Sequence, residues 1–420
     1  MPSLLHRLRR AFRDPQNRWI ALFILLGCGL RLIWAEDMKW KADEIWMYTT
    51  ASGVIEGRIA WPWLGMGNGV GFPNPGLSVW SFIGLRWLAT DPIEMVRWVQ
   101  VSNIVAITLF IGFIRRYIPK PTQPIWLWGI AIASVNPLAV HFSRALWAQD
   151  ILPIVGFLLF VGHWWRGTRW GALLWGLIGT LIGQIHMSGF FWQGSLVLWV
   201  ISGRQRRLTR WGWWVSGTAL GLVPMLPWIS KIATQAATSS RPSWAEILTP
   251  NFHLHWLLTS WGLNLEYEFG GVLWRSLLLM PTIAGRPTFG VAALLLFLAV
   301  SAIGAIVLYA KQRRNEPPLT VPTALPPIEQ TPLNHYLWAG GVIMPILLLL
   351  ARVRVPAHYL TILFPFTYIW VAWLLRGKPR WLISICIAQL LLTTIFLSYV
   401  HIHSGIPGGN YGFAYSHYHP

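Results

Sequence analysis

Eleven long apolar runs decide what this chain can fold into. They lie at roughly 19–35, 95–114, 125–142, 150–165, 171–185, 187–202, 211–230, 289–310, 335–351, 359–375 and 381–400. A helix crossing the bilayer core needs ~20 mostly apolar residues, and a helix satisfies its own backbone groups where lipid offers no partner. The series predicts an all-α fold, a polytopic membrane protein of about 11 transmembrane helices. Only 11% of the 420 residues are charged, against ~25% in an ordinary soluble domain. That excludes a disordered chain and a soluble nucleic-acid binder, so nucleic acid is not an expected partner and membrane lipid is. Segment 77–90 is apolar but short and carries Arg86, which predicts a helix lying on the membrane surface.

Positive charge sets the orientation. Clusters stand at the N-terminus (Arg7, Arg9, Arg10, Arg13, Arg18), at Arg115/Arg116/Lys120, Arg166/Arg169, Arg204/Arg206/Arg207/Arg210, Lys311/Arg313/Arg314 and Arg376/Lys378/Arg380. With eleven spans all of them fall on one side, which gathers 20 of the 33 cations and only Asp14, Glu316 and Glu329 of the 14 acids. The expectation is a multi-pass protein of the plasma (inner) membrane, its N-terminus cytoplasmic and its C-terminus outside. The basic start lacks a small-residue cleavage site and reads as an uncleaved first span. Cys28 and Cys386 sit in apolar runs with no CxxC, so zinc ribbons and redox pairs are excluded.

The membrane domain covers 1–400. Its outer pieces are the first loop, 36–94, and a second long loop, 231–288; the tail, 401–420, is also outside and is expected to fold over a site. Loop 311–334 is a Pro-rich cytoplasmic linker that cannot make a helix. Most acids lie outside, and the functional site is expected there. Asp43 and Glu44 open an apolar-aromatic stretch: as ordinary helix chemistry, Asp43 is an N-cap and Glu44 a first-turn acid; as a site, one of them is a general base. Adjacent helical residues point ~100° apart, so only one can face a substrate. Arg144 and Asp150 close the second outer turn, one as a lipid-snorkelling or phosphate-gripping cation, the other as a cap or partner. Gln184, His186 and Ser188 are polar groups at an outer helix junction, suited to helix–helix hydrogen bonds or to a substrate. Arg352 and Arg354 precede Pro356, which favours an extended backbone. There, residues i and i+2 share a face, and two guanidiniums form a clamp for phosphate. His358 and Tyr359 follow. No phosphate-binding P-loop is present, and the ligand spacing does not support a metal.

This ordered set resembles the membrane glycosyltransferases of the GT-C superfamily, in the family 39-like branch of protein O-mannosyltransferases and the aminoarabinose transferase of lipid A. The resemblance rests on Asp43-Glu44 in ADEIWMYTTA, on Ser143-Arg144 with Asp150, on Gln184-Ile185-His186-Met187-Ser188, and on His358-Tyr359-Leu360 through Pro365. It covers roughly residues 1–375. It departs at GFPNPGLSVW, where relatives often carry a His-Pro-Pro or Glu-Lys-Pro motif, so no metal or lysine contact is expected there. It implies an enzyme that takes a sugar from a polyprenyl phosphate donor and passes it, with inversion, to a hydroxyl of a protein, lipid or glycan acceptor on the outer face, with no cofactor called for. Asp43 would be the base. Arg144, His186, Arg352 and Arg354 would face phosphate, Glu44 and Asp150 would orient them, and His358 and Tyr359 would bind the donor. Trp40, Trp46, Trp61 and Trp63 are sugar-stacking candidates. The rival reading is a transporter or lipid-linked-sugar flippase, which would place ionisable groups near the bilayer midplane and show related halves.

Overall fold

The structure is a computed structural model and describes residues 14–67, 73–234, 243–247, 257–315, 333–353 and 356–419. It is mostly helical. The first helix, α1 (Pro15–Leu32), starts where local chemistry says it should. Asp14 caps it by accepting from the Gln16 N–H at 2.9 Å, and Pro15 takes the first turn. Loop helices α2 (Ala42–Ile55) and α3 (Leu77–Arg86) follow, with the short ribbon β1 (Leu64–Gly67) and β2 (Pro73–Pro75) between them. Arg86, expected at the lipid surface, instead ties α3 to α2: it donates to Ser52 Oγ at 2.9 Å and to the Ala89 carbonyl at 2.7 Å. Asp91 then caps α4 (Pro92–Tyr117) through the Ile93 and Glu94 N–H groups.

Further helices follow: α5 (Gln123–Val135), α6 (Pro137–His141), α7 (Leu152–Trp164), α8 (Arg169–Ile185), α9 (Ser188–Ser202), α10 (Trp211–Leu222), α11 (Leu226–Thr234), α12 (Glu266–Leu278), α13 (Gly290–Asn315), α14 (Leu333–Leu350), α15 (Phe366–Leu374) and α16 (Pro379–His403). All overlap the apolar runs except α12, which lies in the stretch 231–288 read as a loop. Among the described residues, only α4, α13, α14 and α16 have both the length and the hydropathy to cross a membrane. A fifth is added if the turn Ala357–Leu363 and α15, bent by 84°, form one span. Proline explains much of the shortfall from eleven, because it removes a helix N–H and clashes with the preceding turn. Asn136-Pro137 divides the run at 125–142, Pro224 and Pro227 divide 211–230, and Pro365 divides 359–375. On α13, Leu296, Val300 and Ile303 form an exposed apolar stripe at helical spacing, which suits lipid rather than water.

The tail folds back over the loop that follows α1. Strands β3 (Gly405–Ile406) and β4 (Gly412–Phe413) pair, and α17 (Tyr415–Tyr418) follows. The Trp40 N–H donates to the Phe413 carbonyl at 3.0 Å, and the Tyr415 N–H to the Met38 carbonyl at 2.9 Å. Asp37 anchors three tail groups: His401 Nδ1 and Ser416 Oγ at its carboxylate, and the Tyr411 hydroxyl at its carbonyl. Gly409 lets the tail lie against α12, where a Cβ would come within 2.5 Å of the Glu268 carbonyl.

Candidate functional site

Four segments distant in sequence meet under this tail. The first is the start of α2. Its N-cap is Lys41, with extended backbone (φ −138°, ψ −166°), so Asp43 is the second helical residue and not the cap. Glu44, one position on, accepts from the Lys41 N–H at 3.3 Å. Their orientations differ as helix geometry demands: Glu44 is fully buried, and Asp43 is half-buried. Asp43 Oδ2 accepts from the indole N–H of Trp147 at 3.1 Å.

Trp147 is the hub. The Lys39 ammonium stands 4.7 Å above its ring, and the His358 ring lies 5.1 Å away. Its carbonyl accepts from the Asp150 N–H at 2.9 Å. Asp150 Oδ2 turns back to the Ala145 N–H at 3.1 Å, while Oδ1 is buried without a hydrogen-bond partner among the described residues. His358 Nδ1 is 3.2 Å from the Tyr267 hydroxyl. The His186 ring meets Tyr359 edge-on at 4.7 Å and His358 at 5.9 Å. His186 Nδ1 is 2.7 Å from the Ser188 hydroxyl and 3.4 Å from the Ser188 N–H, so this ring is held by the first residues of α9.

Beside Trp147 lies a buried ionic cluster. Glu268 on α12 is 3.5 Å from Lys39 Nζ and 3.3 Å from His141 Nε2, all three essentially inaccessible. Burial alone would raise the Glu268 carboxyl; the charge and hydrogen bond of His141, with Lys39 and Lys41, outweigh it and hold the group down to about 2. For Glu44 the balance tips the other way. Burial is the largest effect, Lys39 offsets only part of it, and the carboxyl is pushed up to about 7.

That contrast gives a pH dependence. A carboxyl whose folded pKa exceeds its unfolded value favours folding most below the unfolded value, and the benefit is lost as pH rises through about 7. Thermal unfolding in detergent is expected to show stability falling between roughly pH 4 and pH 7. The drop should amount to about 3 kcal/mol, the size of that shift. In Glu44→Gln, which mimics the protonated acid, this part of the slope should be absent; an unchanged slope would assign it to another group.

The expected cations are arranged differently from their sequence reading. Arg144 is a cap. Its guanidinium donates to the carbonyls of Leu30, Ile33 and Trp34 at 2.6–2.7 Å and to that of Arg31 at 3.3 Å. The last carbonyls of α1 lack helical partners, so Arg144 meets that need rather than gripping phosphate. Arg31 is also buried, donating to Gly27, Ser134, Ala133 and Ala139 carbonyls. Arg352 is not extended. It sits at φ +53° directly after α14, where its N–H bonds the Leu349 carbonyl and the next N–H, of Val353, bonds that of Leu348. This is the helix-ending turn that usually selects glycine. Its guanidinium lies 5.7 Å over Trp244. Arg354 lies outside the described residues. Gln184 donates to the Gly221 carbonyl at 2.6 Å, a helix–helix bond. Trp61 and Trp63 pack on Trp80, and Trp40 on Tyr415.

Asp43, Glu44, Asp150, His186, His358 and Tyr359 therefore share one neighbourhood, and Arg144 and Arg352 are engaged elsewhere. Sequence reasoning passed over Lys39, His141, Trp147, Tyr267 and Glu268. Trp147 stands inside the motif from Arg144 to Asp150, and an indole there was a usable signal. Among the described residues, no group of three or more His, Cys, Asp or Glu side chains could hold a metal ion. Comparison with protein-family models, with curated proteins and with solved structures gives no match.

Proposed function

We propose that this chain is an integral-membrane glycosyltransferase. It moves a sugar from a polyprenyl phosphate donor to an acceptor hydroxyl on the outer face of the plasma membrane, with inversion. The reading includes the eleven-span topology with cytoplasmic N-terminus and outer C-terminus. The observation that carries it is the half-buried Asp43 carboxylate, held by Trp147 beside a wall of His186, His358, Tyr359 and Tyr267.

In this reaction the acceptor oxygen attacks the anomeric carbon as the bond from that carbon to the phosphate oxygen breaks. Asp43 takes the acceptor proton, and the lipid phosphate leaves with the bonding electrons. One base suffices for inversion in such a transfer. The leaving phosphate passes from a diester with one negative charge to a monoester with two, and the added charge is best met by charge-assisted donors. With Arg144 committed to the end of α1 and Arg352 set over Trp244, that role falls to Lys41, His186 and His358. Lys41 Nζ is kept near Asp43 by the tail, donating to the Asn410 carbonyl at 2.6 Å. Glu44 and Asp150 orient these groups. The proposal is tested by mass measurement of envelope proteins, lipids and glycans from cells with and without the gene. One class should lose the mass of a single sugar residue per site, and restoring the gene should return it. Identical mass profiles would contradict the reading.

A further inference from the structure

We infer that Trp147 is the positioning residue of Asp43, and that its indole N–H fixes which carboxylate oxygen acts as base. The inference rests on the reading of Asp43 as the base and deepens it. Trp147 Nε1 is the hydrogen-bond partner of the Asp43 side chain among the described residues, at 3.1 Å on Oδ2. An indole N–H only donates and does not titrate in the accessible range. It can therefore orient a carboxylate without competing for the acceptor proton. Oδ2 is engaged, and Oδ1 is left to receive that proton.

The indole is itself held from three directions. Lys39 stands over the ring at 4.7 Å, His358 packs at 5.1 Å, and the Trp147 carbonyl is bonded by the Asp150 N–H. Trp147 is nearly inaccessible, at 9% exposure, so no room remains for the ring to swing. The contact joins residues 39–43, 147–150 and 358, which lie on three separate segments, at the carboxylate whose other oxygen would take the proton. Small displacements of a reacting group from its productive geometry are costly. A fixed Asp43 would therefore act on the rate of the chemical step and not on donor affinity.

The test replaces Trp147 with 3-benzothienylalanine, which keeps the two-ring outline and puts sulfur in place of the N–H. Trp147→Phe is made alongside, and Asp43→Asn is the control for the base itself. The benzothienyl variant should lose about 10- to 100-fold in kcat, the range for a hydrogen bond to a charged group. Its donor KM should stay within about twofold, as for an interaction used only in the transition state. Its melting midpoint should match wild type, which a merely structural role does not predict together with a lost kcat. An unchanged kcat, or a raised KM with kcat intact, would overturn the inference. The two readings fail separately. An active Asp43→Asn enzyme removes the base assignment, whereas an inactive one beside a fully active benzothienyl variant removes only the role of Trp147.

Discussion

Asp43→Asn is expected to cut sugar transfer by about 10²- to 10⁴-fold, the usual worth of a positioned general base. The substitution is nearly isosteric. An amide oxygen still accepts from the Trp147 N–H at the same place, so α2 and its neighbours keep their packing. What is lost is the capacity to take a proton. Donor KM should change little, because the acceptor's proton is not part of donor recognition. The readout is release of polyprenyl phosphate by purified protein in detergent, beside a melting curve showing an intact fold. Full turnover in the Asn variant would remove Asp43 as base and would shift attention to Glu44, whose carboxyl burial pushes up to about 7.

Glu268→Gln is expected to be the most destabilising single change in the cluster under the tail. The carboxylate is buried between Lys39 Nζ at 3.5 Å and His141 Nε2 at 3.3 Å. Removing one partner of such a pair leaves the other charge without compensation in a poorly solvated place. That typically costs about 3–5 kcal/mol. Lys39 also faces Trp147, so its displacement should disturb the site as well as the fold. Unfolding of the variant and wild type in the same detergent measures the loss. The sign with pH follows from the low folded value of Glu268: its contribution is present above the usual carboxylate range and is lost as pH falls toward about 2. A second variant separates charge from shape. Lys39→Met combined with Glu268→Leu should recover much of the stability, because a buried pair is often replaceable by apolar residues of similar volume. A Gln variant as stable as wild type would mean that the pair contributes little to the fold.

The sequence made the helices legible because their signals are local. Apolar runs place most of them, and Asp14-Pro15 and Asp91-Pro92 mark starts that the structure uses, whereas Asn136-Pro137 breaks a run that read as one span. Features set by distant contacts were not legible. Asp43 looks like a cap from its neighbours alone. The cap falls two residues earlier, at Lys41, where Trp40 is bonded to Phe413 of the tail and the Lys41 ammonium to Asn410. Arg144 reads equally well as a phosphate ligand until the free carbonyls at the end of α1 are seen beside it. Arg352 carries a proline signal for extended chain, but the way α14 ends overrides it with a left-handed turn. Glu268 has no motif around it at all. Its significance comes from burial against Lys39 and His141, 229 and 127 residues away in the chain.

The central claim is transfer from a lipid-linked sugar at the Asp43 site. Its most direct measurement incubates purified protein with polyprenyl phosphate sugars of defined anomeric configuration and the candidate acceptors, and follows both products. The account predicts one polyprenyl phosphate released per sugar transferred, with the anomeric configuration inverted in the product and no release by Asp43→Asn. Movement of the intact lipid-linked sugar across the bilayer of reconstituted vesicles, with its sugar–phosphate bond unbroken, would contradict it.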